Sequence, residues 1–338
     1  MQKVLYAIGA GIALFVIVGL ALPHESRVEV RTDIDARPAT VFALINDFRR
    51  VNLWAPVTAA DPNARVVYSG PPRGEGATVT WDGSIIGTGS ELIVASQPFE
   101  RIETIINAGS EGESRSTFTL SGRDGQTMLV WTFATDYGYN LVGRYLAVLL
   151  EDAVRQDHEQ GLASLRELAE SLPRADFSEL QIEHVVVEAQ TIAYLPTTSI
   201  PEPSAISEAM GNAYFRVLSF IDSQGLYEAG APISITRSFS GGELLFDAAI
   251  PVRGVSDATP SGDDGVRIGE TYAGPVIRVK HVGSYRGLGA THARIAAYLA
   301  ALGIQRAGAA WESYVSDPTR VAESELLTYV YYPIEPAR

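Results

Sequence analysis

From Val4 to Leu22 the chain is apolar and uncharged, with Lys3 before it and Pro23 closing it. That is close to the ~20 residues a membrane-crossing helix needs. A cleaved leader has a shorter apolar core and an Ala-x-Ala-like exit, which Gly19-Leu20-Ala21 imitates poorly. Residues 1–24 are therefore expected to stay as a single-pass transmembrane signal anchor. Lys3 and the amino terminus favour the cytoplasmic side, although Arg27 and Arg31 blunt the asymmetry. The remaining domains are then expected on the exoplasmic (periplasmic) side of the inner or plasma membrane.

Past the anchor the pattern switches to short alternating segments. Val28-Glu29-Val30-Arg31-Thr32-Asp33-Ile34 alternates as a strand. Pro38 suits the first turn of a helix whose apolar face is Val41, Phe42, Leu44 and Ile45. Strand-like runs follow at Arg65–Tyr68, Ala77–Asp82, Ser90–Ser96, Arg101–Asn107, Glu113–Ser121 and Thr127–Tyr137, separated by Gly, Pro, Asn and Asp. A long helix from Leu141 to Leu172 closes this part, striped by Leu146, Leu149, Leu150, Ala153, Val154, Leu162, Leu165 and Leu168. The expected architecture is α+β, an antiparallel sheet wrapped on a long C-terminal helix, over residues 27–172. Pro173 ends the helix, and 173–179 reads as a linker.

Residues 180–336 contain a duplication. Gly230-Ala231-Pro232-Ile233-Ser234-Ile235-Thr236 corresponds to Gly308-Ala309-Ala310-Trp311-Glu312-Ser313-Tyr314. The helices before them end alike, in Ser223-Gln224-Gly225-Leu226 and Ala301-Leu302-Gly303-Ile304. Glu243–Val252 then corresponds to Glu325–Ile334. Each copy reads strand, helix, strand, strand. His184–Glu188 and Thr191–Tyr194 read as the first strand pair, and Asp257–Gly265 as a surface loop between the copies. The copies differ where chemistry gathers. Glu312, Tyr314, Tyr329 and Tyr331 replace Ser234, Thr236, Asp247 and Ala249. Alternation is expected to put these four on one face of the sheet, opposite Trp311, Ile233 and Ile235, which are assigned to the helix-packed core. A carboxylate beside aromatic rings suits a flat, lipophilic or cationic molecule.

Composition removes several alternatives. A formal charge of −14 and no apparent helix-turn-helix pattern argue against a nucleic-acid partner. The absence of cysteine excludes disulfides and thiol chemistry. Histidines at 24, 158, 184, 281 and 292 lack metal-ligand spacing, so neither metal nor cofactor is expected. No nucleophile elbow or phosphate loop is present.

Two resemblances fit these patterns. Ile34–Phe42, Trp54-Ala55-Pro56 and Gln160–Leu165 resemble the SRPBCC proteins, the START-like or polyketide-cyclase-like superfamily. This implies a helix-grip fold with a pocket for a hydrophobic ligand, which Trp54, Trp81 and Trp131 could line; plain core is the competing role for those rings. His281-Val282-Gly283-Ser284-Tyr285, Glu312-Ser313-Tyr314, Asp317-Pro318 and Tyr331-Tyr332-Pro333 resemble GyrI-like proteins, also called bacterial transcription-activator effector-binding domains. This implies a cleft between two fused units that binds small hydrophobic, often cationic molecules, with Glu312 as the central acid. Tyr285 and His281 join the candidate ligand-binding set through the same motifs, although His281 reads first as a structural strand-end residue. Some members of that family hydrolyse strained rings with the matching Glu. A binding protein acting as sensor, buffer or carrier, a detoxifying hydrolase with Glu312 as general base, and a scaffold for protein partners all remain open.

Overall fold

The computed structural model describes residues 2–55, 61–108, 113–256 and 265–336. Pro56 of the Trp54 motif and the loop expected at Asp257–Gly265, save Gly265, lie outside the described residues. The chain divides into two compact units. The first is built from Met1–Ser178 and the second mainly from Glu179–Leu299 and Ile304–Arg338.

The first unit opens with helix α1, Gln2–Ala21. It is long and apolar enough to cross a membrane, a property that a signal sequence at this position shares. Seven strands follow among the described residues: β1 (Glu25–Ile34), β2 (Arg65–Ser69), β3 (Thr78–Gly83), β4 (Gly87–Gln97), β5 (Arg101–Ala108), β6 (Glu113–Arg123) and β7 (Gln126–Asp136). They form one antiparallel sheet in the order β1-β7-β6-β5-β4-β3-β2. Between β1 and β2 lie α2 (Pro38–Ile45), with its proline in the first turn, and the short α3 (Phe48–Val51), capped by the Asp47 carboxylate accepting from Arg49 N. The Asp124-Gly125 turn between β6 and β7 places both residues at positive φ (52° and 86°), the conformation that a tight hairpin needs.

Helix α4 (Leu141–Ser171) starts at Asn140, whose side chain accepts from Gly143 N. Its C-terminal half buries Leu162, Leu165 and Ala169 against a core containing Val28, Val30, Ile34, Leu44, Ile93, Ile102 and Leu129. Its first three turns bury only Gly143 and Arg144. The apolar side chains at 146, 149 and 150, expected on the core stripe, are exposed instead, because the helix begins beyond the end of the sheet.

Among the described residues the second unit is one antiparallel sheet with two α-helices. Its elements are β8 (Ile182–Val187), β9 (Thr191–Ser199), α5 (Pro203–Ser223), β10 (Tyr227–Glu228), β11 (Ile233–Ser240), β12 (Glu243–Arg253), β13 (Arg267–Glu270), β14 (Gly274–Val282), α6 (Leu288–Leu302), β15 (Trp311–Tyr314) and β16 (Leu327–Pro333). The main order, β13-β9-β12-β11-β15-β16-β14-β8, exposes the duplication directly. β9-β12-β11 in one copy mirrors β14-β16-β15 in the other, and β11 meets β15 at the centre. Both helices end in the same hydrogen-bonded cap. Leu226 N reaches Ile221 O and Gly225 N reaches Asp222 O, and Ile304 with Gly303 repeats the pattern on Leu299 and Ala300.

Two expectations fail here. β8 and β9 do not pair with each other: β8 lies against β14 at one edge, and β13 lies against β9 at the other. Each copy's leading strand thus completes the other copy's edge, which a turn-based reading of neighbouring strands cannot reveal. The helix-covered face also has the opposite parity to that expected. α5 packs Ala213, Val217, Phe220 and Ile221 against Phe246, Ala248 and Ile250. α6 packs Leu288, Ile295 and Leu299 against Ile277, Val279, Val330 and Tyr332. Ile233, Ile235 and Trp311 belong to a separate cluster on the opposite face, with Ile192, Ala249 and Val276. Both faces of the central strands are apolar, so bulk alone did not mark the helix side.

Candidate functional site

At the centre of the second unit β11 and β15 pair antiparallel, with Ser234 directly opposite Glu312. The duplicated position and its counterpart therefore sit in one site, on the pseudo-symmetry axis. Alternation places Glu312 and Tyr314 on the helix side. Across β16, Glu312 faces Val330 and Tyr314 faces Thr328, whereas Trp311 faces Tyr331 and Ser313 faces Tyr329. Paired residues share a face. Tyr329 and Tyr331 consequently lie on the far side of the sheet from Glu312, not beside it as expected. The long connection from β15 to β16 sets this register, and a shift of one residue exchanges the faces.

The two helices supply what those tyrosines do not. His292 on α6 brings Nε2 to 2.6 Å from Glu312 Oε1, and its Nδ1 lies 2.8 Å from the Tyr332 hydroxyl. The Tyr314 hydroxyl donates to the other carboxylate oxygen. One hydrogen-bond assignment satisfies every group: Tyr332 donates to Nδ1, and Nε2 donates to Glu312. From α5, Tyr214 donates to Ile233 O at 2.9 Å, and Met210 Sδ lies 4.0 Å from the Tyr314 hydroxyl. The Glu312 and His292 side chains retain 17% and 26% of their exposure, so the carboxylate is reachable but largely shielded.

Electrostatics keep the surrounding hydroxyls protonated. Burial, and then the Glu312 charge, push the Tyr314 and Tyr214 phenols well above their ordinary range. Tyr332 is raised by burial, against the opposing pull of Arg306, with Glu312 adding to the rise. All three are phenols at neutral pH and can donate. Tyr285 is raised by burial and by Asp317. It enters the site from the 3₁₀ turn Tyr285–Gly287, its ring 5.3 Å from that of Tyr314 and edge-on. His281 holds this turn: Nε2 donates to Ser284 O (3.1 Å) and Nδ1 accepts from Thr291 (2.9 Å). Both of its nitrogens are engaged in structure.

On the opposite face, Trp311 and Tyr331 stack at 4.8 Å and 5°. They border a groove of about 410 Å³ whose lining also includes Ile233, Tyr272, Val187 and Gln190. Tyr329 lies under the Arg278 guanidinium there.

In the first unit Trp54 is buried, its Nε1 donating to Leu44 O, and stands edge-on to Trp131 and Phe118. Trp131 donates to Ser116 Oγ (3.2 Å), and Trp81 lies across Gly89, where any side chain would collide with its ring. Polar groups sit beside them, Glu91, Thr104 and Ser116 among them without any mark in the sequence. Glu91 is half-buried and its carboxyl accepts from Thr104 (2.6 Å); desolvation raises its pKa to about 7 against that bond. Thr104 pairs with Ser116 across the strands, and His158 packs on Trp131 at 4.0 Å. Burial lowers the His158 pKa, so the ring is neutral. A groove of about 350 Å³ runs between β1 and α4, lined by Glu29, Arg31, Thr32, Glu159, Leu162 and Arg166. None of the three tryptophans borders it.

His292, Tyr332, Tyr214 and Met210 escaped the sequence reading. The available signal was parity: once Glu312 pairs with Val330, Tyr332 joins its face and Tyr331 leaves it.

Residues 25–170 match the family described as polyketide cyclase / dehydrase and lipid transport, and residues 180–335 match the GyrI-like small molecule binding domain. The chain thus carries these two domain types in that order, behind its apolar N-terminal helix. No curated protein matches it. Among solved structures, protein CV1439 from Chromobacterium violaceum is 15% identical, over 43% of this chain and 98% of that one, with a TM-score of 0.34. The C-terminal domain of EcmrR is 13% identical, over 47% and 99%, with a TM-score of 0.38. The Aha1 dimer from Colwellia psychrerythraea is 14% identical, over 43% and 96%, with a TM-score of 0.32.

Proposed function

We propose that this chain is a membrane-anchored binding protein for small hydrophobic molecules, cationic ones at its second unit, and that it serves as a sensor, buffer or carrier. The observation that carries this reading is the largely shielded Glu312 carboxylate among Tyr214, Tyr285, Tyr314 and Tyr332. Such a carboxylate attracts a cation more strongly than an exposed one, and the ring faces add cation–π attraction. The match of 180–335 to a small-molecule-binding family agrees with it. The first unit would hold a second hydrophobic ligand between its sheet and α4, at the groove that Val30 and Leu162 border.

Retention of α1 as an anchor is supported by Arg144; the exoplasmic placement of both units rests on Lys3 and the amino terminus alone. Arg144 is 7% exposed, and one of its guanidinium nitrogens bonds the carbonyls of Gly19, Leu20 and Leu22 at the end of α1. Cleavage near Leu22 would strip a buried cation of these acceptors.

A hydrolase reading draws on one specific contact, Glu312 Oε1 to His292 Nε2 at 2.6 Å. Glu312 would then act as general base toward a strained or electrophilic substrate, with His292 and Tyr332 adjusting its proton.

The test is a titration of the full chain in detergent with tetraphenylphosphonium and with a neutral triphenyl compound of similar size. Selective binding of the cation without consumption supports the binding reading. Turnover of an electrophilic probe selects the hydrolase, and equal indifference to both compounds overturns the cation site.

A further inference from the structure

We propose that the first three turns of α4 are a second membrane-contacting element, lying at headgroup depth beside α1 and holding the first unit against the lipid. The proposal rests on the reading of α1 as a retained span.

Within Leu141–Leu150 the chain carries Val142, Leu146, Leu149 and Leu150, at spacings that put them on one side of the helix. All are exposed, Leu149 by 75% and Val142 by 58%. The helix changes character at Glu151-Asp152, and only its later turns pack on the sheet. The apolar stripe is thus confined to the end of α4 that meets α1. Tyr139, 91% exposed, stands just before it.

This end is tied to α1 by contacts that leave the stripe free. Arg144 spends its donors on backbone: Gly138 O, and the carbonyls that close α1. It is the segment's only charge, and it is hidden from the apolar side. Tyr145 donates to Phe15 O (2.8 Å) and stacks on the Phe15 ring at 4.7 Å and 16°. Gly19 permits the approach, since a Cβ there would come within 3.1–3.3 Å of Tyr145 and Leu141. The contacts span Phe15 to Leu22, the last turns of α1, which at 1.5 Å per residue is roughly 10 Å of helix. A bilayer that holds α1 therefore reaches the stripe at the depth where amphipathic helices and tyrosines settle.

Continuity with the span is what selects lipid as the occupant. Glu151 and Asp152 adjoin the stripe and the chain's charge is −14, so attraction to anionic headgroups contributes nothing. Insertion is driven by apolar contact and is insensitive to salt.

The chain has no cysteine, so one introduced residue carries one label. Full-length Leu149→Cys, Ile12→Cys and Glu167→Cys variants are labelled with an environment-sensitive fluorophore and reconstituted in phosphatidylcholine vesicles containing nitroxide lipids. Labels at 149 and 12 are expected to emit at apolar wavelengths and to be quenched by the nitroxide several-fold more than the label at 167. Emission at 149 is expected to stay constant with salt and with added anionic lipid. A water-like signal at 149 with 12 in lipid overturns the inference and leaves the anchor standing. Water-like signals at both positions overturn the anchor as well. An apolar but unquenched label at 149 assigns the stripe to protein, such as a second copy, and also overturns it.

Discussion

Glu91 offers the most quantitative prediction. Its half-buried carboxyl accepts from Thr104, and desolvation lifts its pKa from the ordinary 4.5 to about 7. The acid's folded pKa is above its unfolded value. Between those values the native chain holds a proton that the unfolded chain has lost, so stability falls as pH rises through the window. Above pH 7 the penalty is present in full; below the unfolded value it vanishes. Each pKa unit corresponds to about 1.4 kcal/mol, so the full cost is roughly 3 kcal/mol. Glu91→Gln keeps an acceptor for Thr104 and cannot ionise. Urea unfolding of the full chain in micelles, in a Trp311→Phe background so that the fluorescence is that of Trp54, Trp81 and Trp131, should show the Gln variant about 3 kcal/mol more stable at pH 8. The two proteins should converge near pH 4.5. An advantage that is equal at both pH values, or a less stable variant at pH 8, would refute the reasoning.

Two further predictions follow from the geometry of each unit. Because Tyr329 and Tyr331 lie across the sheet from Glu312, Tyr331→Ala and Tyr329→Ala should leave cation affinity nearly unchanged by calorimetric titration. Tyr314→Ala should cost about 2 kcal/mol, the order of a desolvated cation–π contact. Arg144→Leu removes the cap from the end of α1, and hydrogen exchange at Gly19–Leu22 should accelerate while exchange in β9 and β12 stays as it was.

Much of the fold was legible because hydrophobic period reports local structure. The strand ladder of the first unit, its long closing helix and the duplicated strand-helix-strand-strand units all follow from periods that a single chain displays. What stayed hidden depends on pairing between distant segments. The β15–β16 register decides that Tyr332, not Tyr331, accompanies Glu312, and nothing in Val315–Leu326 announces it. The exchange of β8 and β13 between copies is a choice of edge partner, made by packing of the whole sheet. Ser234 had the look of the plain counterpart of Glu312, yet it sits opposite it in the same site, because a pseudo-symmetry axis places equivalent residues together. Nothing in the local pattern singles out Glu91 or His158, because their shifted ionisation comes from burial by neighbouring strands and α4. The apolar stripe of α4 read as core, since periodicity shows that a face is apolar but not what covers it.

The central claim is that the Glu312 charge holds the ligand, and the most direct measurement compares calorimetric titrations of wild type, Glu312→Gln and Tyr329→Phe with tetraphenylphosphonium. Glutamine keeps the shape and an acceptor for His292 and Tyr314 while removing the charge. Loss of a partly desolvated ion pair costs on the order of 2–5 kcal/mol. The Gln variant should therefore bind tens- to thousands-fold more weakly, and Tyr329→Phe should match wild type. Equal affinity in wild type and Glu312→Gln would contradict the account.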